Sequence, residues 1–213
     1  MQAAYGSGDP YLTFAKQVGA APPEATKASH EAVRDQYKAC VLAVQYGMGS
    51  ASLAERTGLA PIEAQALLDQ HRSTYRVFWS WSDDVVNTAF WRGWIESVFG
   101  WRQYLPEHPN ERSVRNFPMQ ANGAEMLRVA CILAVEAGIE VLAPVHDALL
   151  IQAPLDQLDA DVLRMQEIMV EASRQVLSGF EIGTEAKVYP HPDRFIEKRG
   201  QSMWDEVSTY VGL

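Results

Sequence analysis

Cysteine is nearly absent: only Cys40 and Cys131 occur, each inside an apolar helical pattern. Two such residues cannot build a disulfide framework or a cysteine zinc site, and they read as buried, reduced thiols. There is no uninterrupted run of about 18 apolar residues, which excludes a membrane-spanning helix. Residues 1–9 lack the basic start and apolar centre of a signal peptide, so the expected location is the cytoplasm, with no membrane partner. Internal repeats and low-complexity tracts are also missing, and 47% hydrophobic residues are too many for a disordered chain. A length of 213 residues suits one large domain or two small ones.

Positive charge is scarce as well. The net charge is −9, which on its face argues against a polyanionic partner. The distribution of charge removes that objection for part of the chain. Residues 1–130 carry 12 Lys/Arg against 13 Asp/Glu, whereas residues 131–213 carry 6 against 14. The acidity is C-terminal, and the spaced arginines at 72, 76, 92, 102, 112 and 115 leave room for a nucleic-acid surface in the middle.

Periodicity predicts helices over 11–18, 31–46, 61–75 and 77–92, with Gly47 and Gly49 stopping the second and Pro61 starting the third. Residues 94–105 alternate enough for a short hairpin turning at Phe99-Gly100. Residues 110–138 read as helical, with Pro118 beginning or kinking a turn. The apolar runs 139–142 and 145–152 read as strands carrying His146-Asp147 between them. An amphipathic helix over 155–178, a last strand over 185–189 and a terminal helix containing Trp204 complete the pattern. Helices first and a strand–helix–strand unit last predict an α+β protein with two subregions.

Arg34, Lys38 and Leu42 are four residues apart, and Tyr46 follows at the same interval. On a helix the first three form one ridge, with Tyr46 slightly around from it. Two cations one turn apart, with no acidic residue on their ridge, call for an anion with several oxygens, such as a triphosphate. Leu42 and Tyr46 would offer a flat base an apolar and aromatic surface. The plainer alternative is a solvated helix with Tyr46 in the core.

Further motifs surround this helix. Arg34-x3-Lys38-x7-Tyr46-Gly47 resembles motif B of family A DNA polymerases, the bacterial DNA polymerase I type and its phage relatives. The segment 116–120, Asn-Phe-Pro-Met-Gln, resembles that family's Asn-Ala-Pro-Met-Gln element. Val145-His146-Asp147 resembles the start of motif C, and 96–106 resembles the hairpin between fingers and palm. Trp204-Asp205 sits where the family closes with a Trp-Asp pair. The elements keep the family order across essentially the whole chain. The resemblance implies a partial right-hand polymerase fold: mainly helical fingers over 1–110, and a palm-like region with a small antiparallel sheet and the motif C hairpin over 111–213.

It also implies roles. Arg34 and Lys38 would hold the incoming nucleotide's phosphates, Lys38 with catalytic effect, with Tyr11 standing where many relatives carry a phosphate-contacting His. Leu42 and Tyr46 would pack at the nascent base pair. Arg112, Asn116 and Gln120 would touch primer or template in the minor groove, whose acceptors are common to every base pair. His146 would lie beside the primer terminus, and Asp147 would be the catalytic aspartate that binds Mg²⁺. Partners would be primer–template DNA and a dNTP.

Departures from the pattern limit this expectation. Leu42-Ala43 replaces an aromatic residue followed by Gly, and Ala148 replaces the glutamate after the motif C aspartate. Motif A, the thumb and any exonuclease domain have no counterpart. The chain therefore reads as a fragment or split subunit, inactive alone, whose companion polypeptide would carry motif A and thumb. A catalytically inactive DNA-binding remnant is the alternative. A metal phosphohydrolase using His146-Asp147 is disfavoured, because His30, His71, His108 and His191 lack ligand spacing.

Overall fold

A computed structural model describes residues 1–193, 195 and 198–212. The chain is α+β. In order it forms α1 (Gln2–Gly6), α2 (Pro10–Gln17), α3 (Glu31–Gln45), α4 (Ser50–Thr57), α5 (Pro61–Thr74) and α6 (Arg76–Arg92). Strands β1 (Trp94–Glu96) and β2 (Arg102–Tyr104) precede the long α7 (Glu111–Glu136). Then come β3 (Glu140–Val145), β4 (Ala148–Gln152), α8 (Leu158–Val176), a 3₁₀ turn (Lys198–Gly200) and α9 (Gln201–Val211). The residues form two compact units, 1–122 and 123–213.

Local chemistry explains two of the helix starts in the first unit. Asp9 caps α2, its Oδ1 accepting the Leu12 N–H at 3.1 Å, and Pro10 supplies a first-turn residue that has no N–H to satisfy. Pro61 opens α5 in the same way, and Glu63 reaches back to accept the Ala60 N–H at 2.9 Å. Gly58 ends α4 with a left-handed φ of 72°. Sequence periodicity missed α1 and α4. Both are short, and tertiary packing of Ala4, Leu53 and Ala54 stabilises them more than local propensity does.

The core of this unit is aromatic. Phe14, fully buried, meets Tyr37 edge-on at 5.0 Å between centroids, His71 at 5.3 Å and Tyr75 at 5.3 Å. Leu12, Cys40, Val41, Leu53, Ala64 and Leu67 complete the cluster. A second cluster of Val86, Ala89, Ile95 and Val114, with Leu105 and Phe117 against it, joins α6 and the first hairpin to the start of α7. The backbone N–H of Val98 also donates to Asn122 Oδ1 at 3.0 Å. These contacts draw the first turns of α7 into the first unit, whose boundary falls inside the helix after Asn122. Pro118 lies within α7, and the helix continues through it although the Val114 carbonyl receives no N–H from that position.

In the second unit β3 and β4 pair antiparallel, Val141 with Ile151 and Val145 with Ala148, with a bulge between Val141 and Ala143. Val141, Leu149 and Ile151 pack with Val129, Ala130, Ala134, Met165 and Ala172 of α7 and α8, while Leu142 and Leu150 point out. The strand expected over 185–189 does not form. Those residues are exposed and irregular, and among the described residues they have no ladder partner, without which extended chain is not a strand.

His71 carries a pH prediction. It is 1% exposed, and the Trp79 Nε1–H donates to its Nδ1 at 3.1 Å. Indole is only a donor, so Nδ1 must be unprotonated and the ring neutral. Burial pushes its pKa down to about 4. The stability that neutral His71 contributes is complete above the unfolded value near 6.5 and is lost as pH falls from there through 4. The full loss is about 3 kcal/mol. Urea unfolding at pH 7 and pH 4 should show it, and a His71→Phe variant should lack this part of the acid slope.

Candidate functional site

The ridge read from the sequence exists on α3, but its charges are not as bare as spacing alone implied. Lys38 is exposed and has no ion pair among the described residues. Arg34 is different: its Nε donates to Asp9 Oδ2 at 2.6 Å and its Nη1 to Asp35 Oδ1 at 3.2 Å, with 14% of its side chain exposed. The counter-charge expected to be missing comes from the cap of α2, one helix away. The contact also moves both titrations. Hydrogen bonding to Asp9 raises the Arg34 guanidinium further. Burial pushes the Asp9 carboxyl up, but Arg34 and the Leu12 N–H outweigh it and hold the group below the ordinary carboxylate range.

Tyr11, half-buried on α2, brings this group together. Its ring lies 5.4 Å from the Arg34 guanidinium carbon and 6.0 Å from the Lys38 ammonium, an aromatic floor under both cations. Leu42 is half-buried further along α3. Tyr46 caps the helix at 53% exposure, so it stands in solvent and not in the core. Gly47 follows with a φ of 63°, and a Cβ there would stand 2.9 Å from Arg112 Cγ. Only glycine permits that turn and the close approach of α7.

Arg112, Asn116 and Gln120 sit at intervals of four on α7, Arg112 and Gln120 exposed and Asn116 half-buried. Arg112 borders a groove of about 510 Å³ with Met48, Leu68, Arg72, Trp79 and Arg115. Sequence reasoning did not foresee this groove. Arg72 stacks on Trp79 at 4.8 Å and pairs with Asp83 at 3.0 Å, while Arg115 binds Asp83 at 2.7 Å and Glu111 at 2.8 Å. Those two arginines are already neutralised, whereas Arg112 has no ion pair among the described residues. The Arg–Asp spacings that build the network cross from α5 to α6 and α7, so no local pattern announces them.

In the second unit His146 and Asp147 form the two-residue turn between β3 and β4. His146 takes a φ of 57°, a left-handed backbone usually given to glycine and demanded by a tight hairpin. Both residues are exposed. Strand alternation ends at this tip, so Asp147 stands in solvent although apolar runs flank it. Among the described residues no three His, Cys, Asp or Glu side chains converge as a metal cage. Mg²⁺ commonly takes one or two carboxylates and fills its other positions with water and substrate phosphate. Asp147 fits one such place and cannot make the site alone. Two further carboxylates are held in ion pairs: Asp9 with Arg34, and the buried Glu125 with Arg128 one turn along α7.

A family model described as DNA polymerase family A matches residues 1–188. The thermostable DNA polymerase I of Thermus aquaticus is 27% identical over 139 residues, 59% of this chain and 17% of that protein. DNA polymerase I of Bacillus subtilis is 26% identical over 156 residues, 66% of this chain and 18% of that protein. This chain thus spans less than a fifth of the length of either relative. Among solved structures, the POL domain of Pol1 from M. smegmatis, in complex with DNA primer-template and dNTP, superposes with a TM-score of 0.68 at 26% identity. It covers 80% of this chain and 32% of that one. No helix among the described residues is long and apolar enough to cross a membrane.

Proposed function

The chain belongs to DNA polymerase family A, and from that premise we propose that it serves template-directed DNA synthesis as a fragment or split subunit of such an enzyme. One observation carries the reading: Lys38 and Arg34, a turn apart on α3, share the Tyr11 ring as a floor, with Tyr46 standing free at the helix end. The arrangement suits a nucleoside triphosphate. The phosphates would lie along the two cations, and the base would reach Leu42 and Tyr46. Primer–template would lie against Arg112, Asn116 and Gln120, which offer donors to minor-groove acceptors and so test pair shape without reading sequence.

The reaction would be nucleotidyl transfer: the primer 3′-oxygen attacks the α-phosphorus, the hydroxyl proton leaves, and the bond to pyrophosphate breaks. Lys38 would neutralise charge as it gathers on the departing pyrophosphate. His146 would sit near the primer terminus, on a turn whose strained backbone fixes its direction. Asp147 would hold Mg²⁺, which when bound supplies charge neutralisation and activation of the primer hydroxyl. A companion polypeptide with a second aspartate would complete the metal site, with cytoplasm as the setting. The lone carboxylate beside Ala148 favours a second reading, a catalytically inactive DNA-binding remnant.

Calorimetric titration with dATP tests the first reading. Lys38→Ala should weaken binding by about one to two decades, the 1.5–3 kcal/mol typical of a charge-assisted contact. Tyr46→Ala should leave phosphate binding nearly intact. Unchanged affinity in Lys38→Ala would remove α3 from the site.

A further inference from the structure

We propose that Asp9 is a positioning residue that gates Arg34: its carboxylate occupies the guanidinium as a built-in anion, and a nucleotide's phosphates must take its place. The inference rests on the reading of α3 as a phosphate site and adds to it a residue from another helix. Asp9 divides its two oxygens between two tasks. Oδ1 accepts the Leu12 N–H and caps α2, while Oδ2 accepts from Arg34 Nε at 2.6 Å. Asp35 takes Nη1 at 3.2 Å. Two of the five N–H donors of the guanidinium, one on Nε and one on Nη1, are thus engaged by carboxylates before any ligand arrives. Arg34, Asp9 and Asp35 together carry a formal charge of −1, and Lys38 brings the group to zero. A ridge that counts as two positive charges in the sequence is electrically neutral in the folded protein.

Neutrality sets an order of events. Lys38, exposed and without an ion pair among the described residues, is the first contact an anion can make. Arg34 gives its Nε donor and its full charge to a phosphate only by exchanging Asp9 for it. The two residues are about 6 Å apart along the helix axis and their heads stand over the same Tyr11 ring, so one anion with several oxygens can meet Lys38 first and then displace Asp9 from Arg34. The exchange comes at a cost in affinity.

Asp9→Asn separates this role from simple capping, because Asn caps a helix as well as Asp does but carries no charge. The expected result is dATP binding tighter by about three- to tenfold, since a partly buried ion pair no longer competes. The melting temperature should fall only by the share of the lost ion pair. Asp9→Ala should tighten binding similarly while lowering the melting temperature through loss of the cap. In an Arg34→Ala background the Asp9→Asn gain should vanish. In the wild-type chain, the Asp9 carboxyl carbon followed by NMR should titrate at higher pH once dATP is added, because Arg34 has left it. A purely structural Asp9 would do none of this.

Equal or weaker dATP binding in Asp9→Asn overturns the gate, as does a gain that survives Arg34→Ala. The two layers fail separately. If Lys38→Ala leaves affinity untouched, the phosphate site itself is wrong. If Lys38→Ala weakens binding but Asp9→Asn does not tighten it, only the gate is wrong. Absence of dATP binding in both wild type and Asp9→Asn overturns both.

Discussion

Asp147→Asn is expected to reduce primer extension on the order of a thousandfold, measured with Mg²⁺ in an assembly containing a companion polypeptide that contributes a second aspartate. A bound metal supplies several kcal/mol of transition-state charge stabilisation, and each 1.36 kcal/mol is tenfold in rate. The amide keeps the shape of the turn and removes the charge that would hold the ion. The wild-type chain alone should give no extension. Asp147 is a single exposed carboxylate with Ala148 beside it, and two metal ions about 3.5–4 Å apart need several carboxylate oxygens to offset their repulsion. Asp147-dependent extension by the isolated chain would overturn this expectation. Failure in every combination would favour the remnant reading.

Phe14→Ala should produce the largest loss of stability, about 3–5 kcal/mol, the usual cost of emptying a fully buried aromatic position. Phe14 is the hub of the aromatic cluster, in contact with rings from α3, α5 and the α5–α6 junction. It also lies five residues beyond Asp9 and three beyond Tyr11 on the helix that presents both to Arg34. The variant should therefore weaken dATP binding as well as unfold earlier, because the contact of α2 with α3 loosens. Five of the six tryptophans lie within residues 1–122, so tryptophan fluorescence during urea unfolding reports mainly on that unit. Phe14→Leu, which keeps most of the volume, should recover much of both losses. A Phe14→Ala chain as stable as wild type would show that the cluster is not the keystone of the unit.

Helical signals that rest on neighbouring residues are legible in the chain. Pro61 announces a helix start, and the four-residue spacing of Arg34, Lys38 and Leu42 places them on one ridge. The two-residue turn at His146-Asp147 follows from apolar runs of strand length on either side. Where a local signal is weak or misleading, expectation and structure part. Helix α1, five residues long, is too short to carry a period, and α4 is stabilised by the burial of Leu53 and Ala54. The stretch 185–189 has strand-like residues but no neighbour to pair with, and pairing is not written in any one segment.

The candidate site divides in the same way. Helix period is a property of the local backbone, so which residues share a face is determined by the sequence alone. Charge and burial belong to the whole fold, because they depend on what arrives from distant positions. Only the tertiary structure decided that Arg34 meets Asp9, 25 residues away along the chain, so that one of two expected bare cations is neutral in its setting. Only it placed Tyr46 and Asp147 in solvent and brought Arg112 against Gly47. Spacing selected the residues that could touch a phosphate; long-range packing determined which of their charges are left for it.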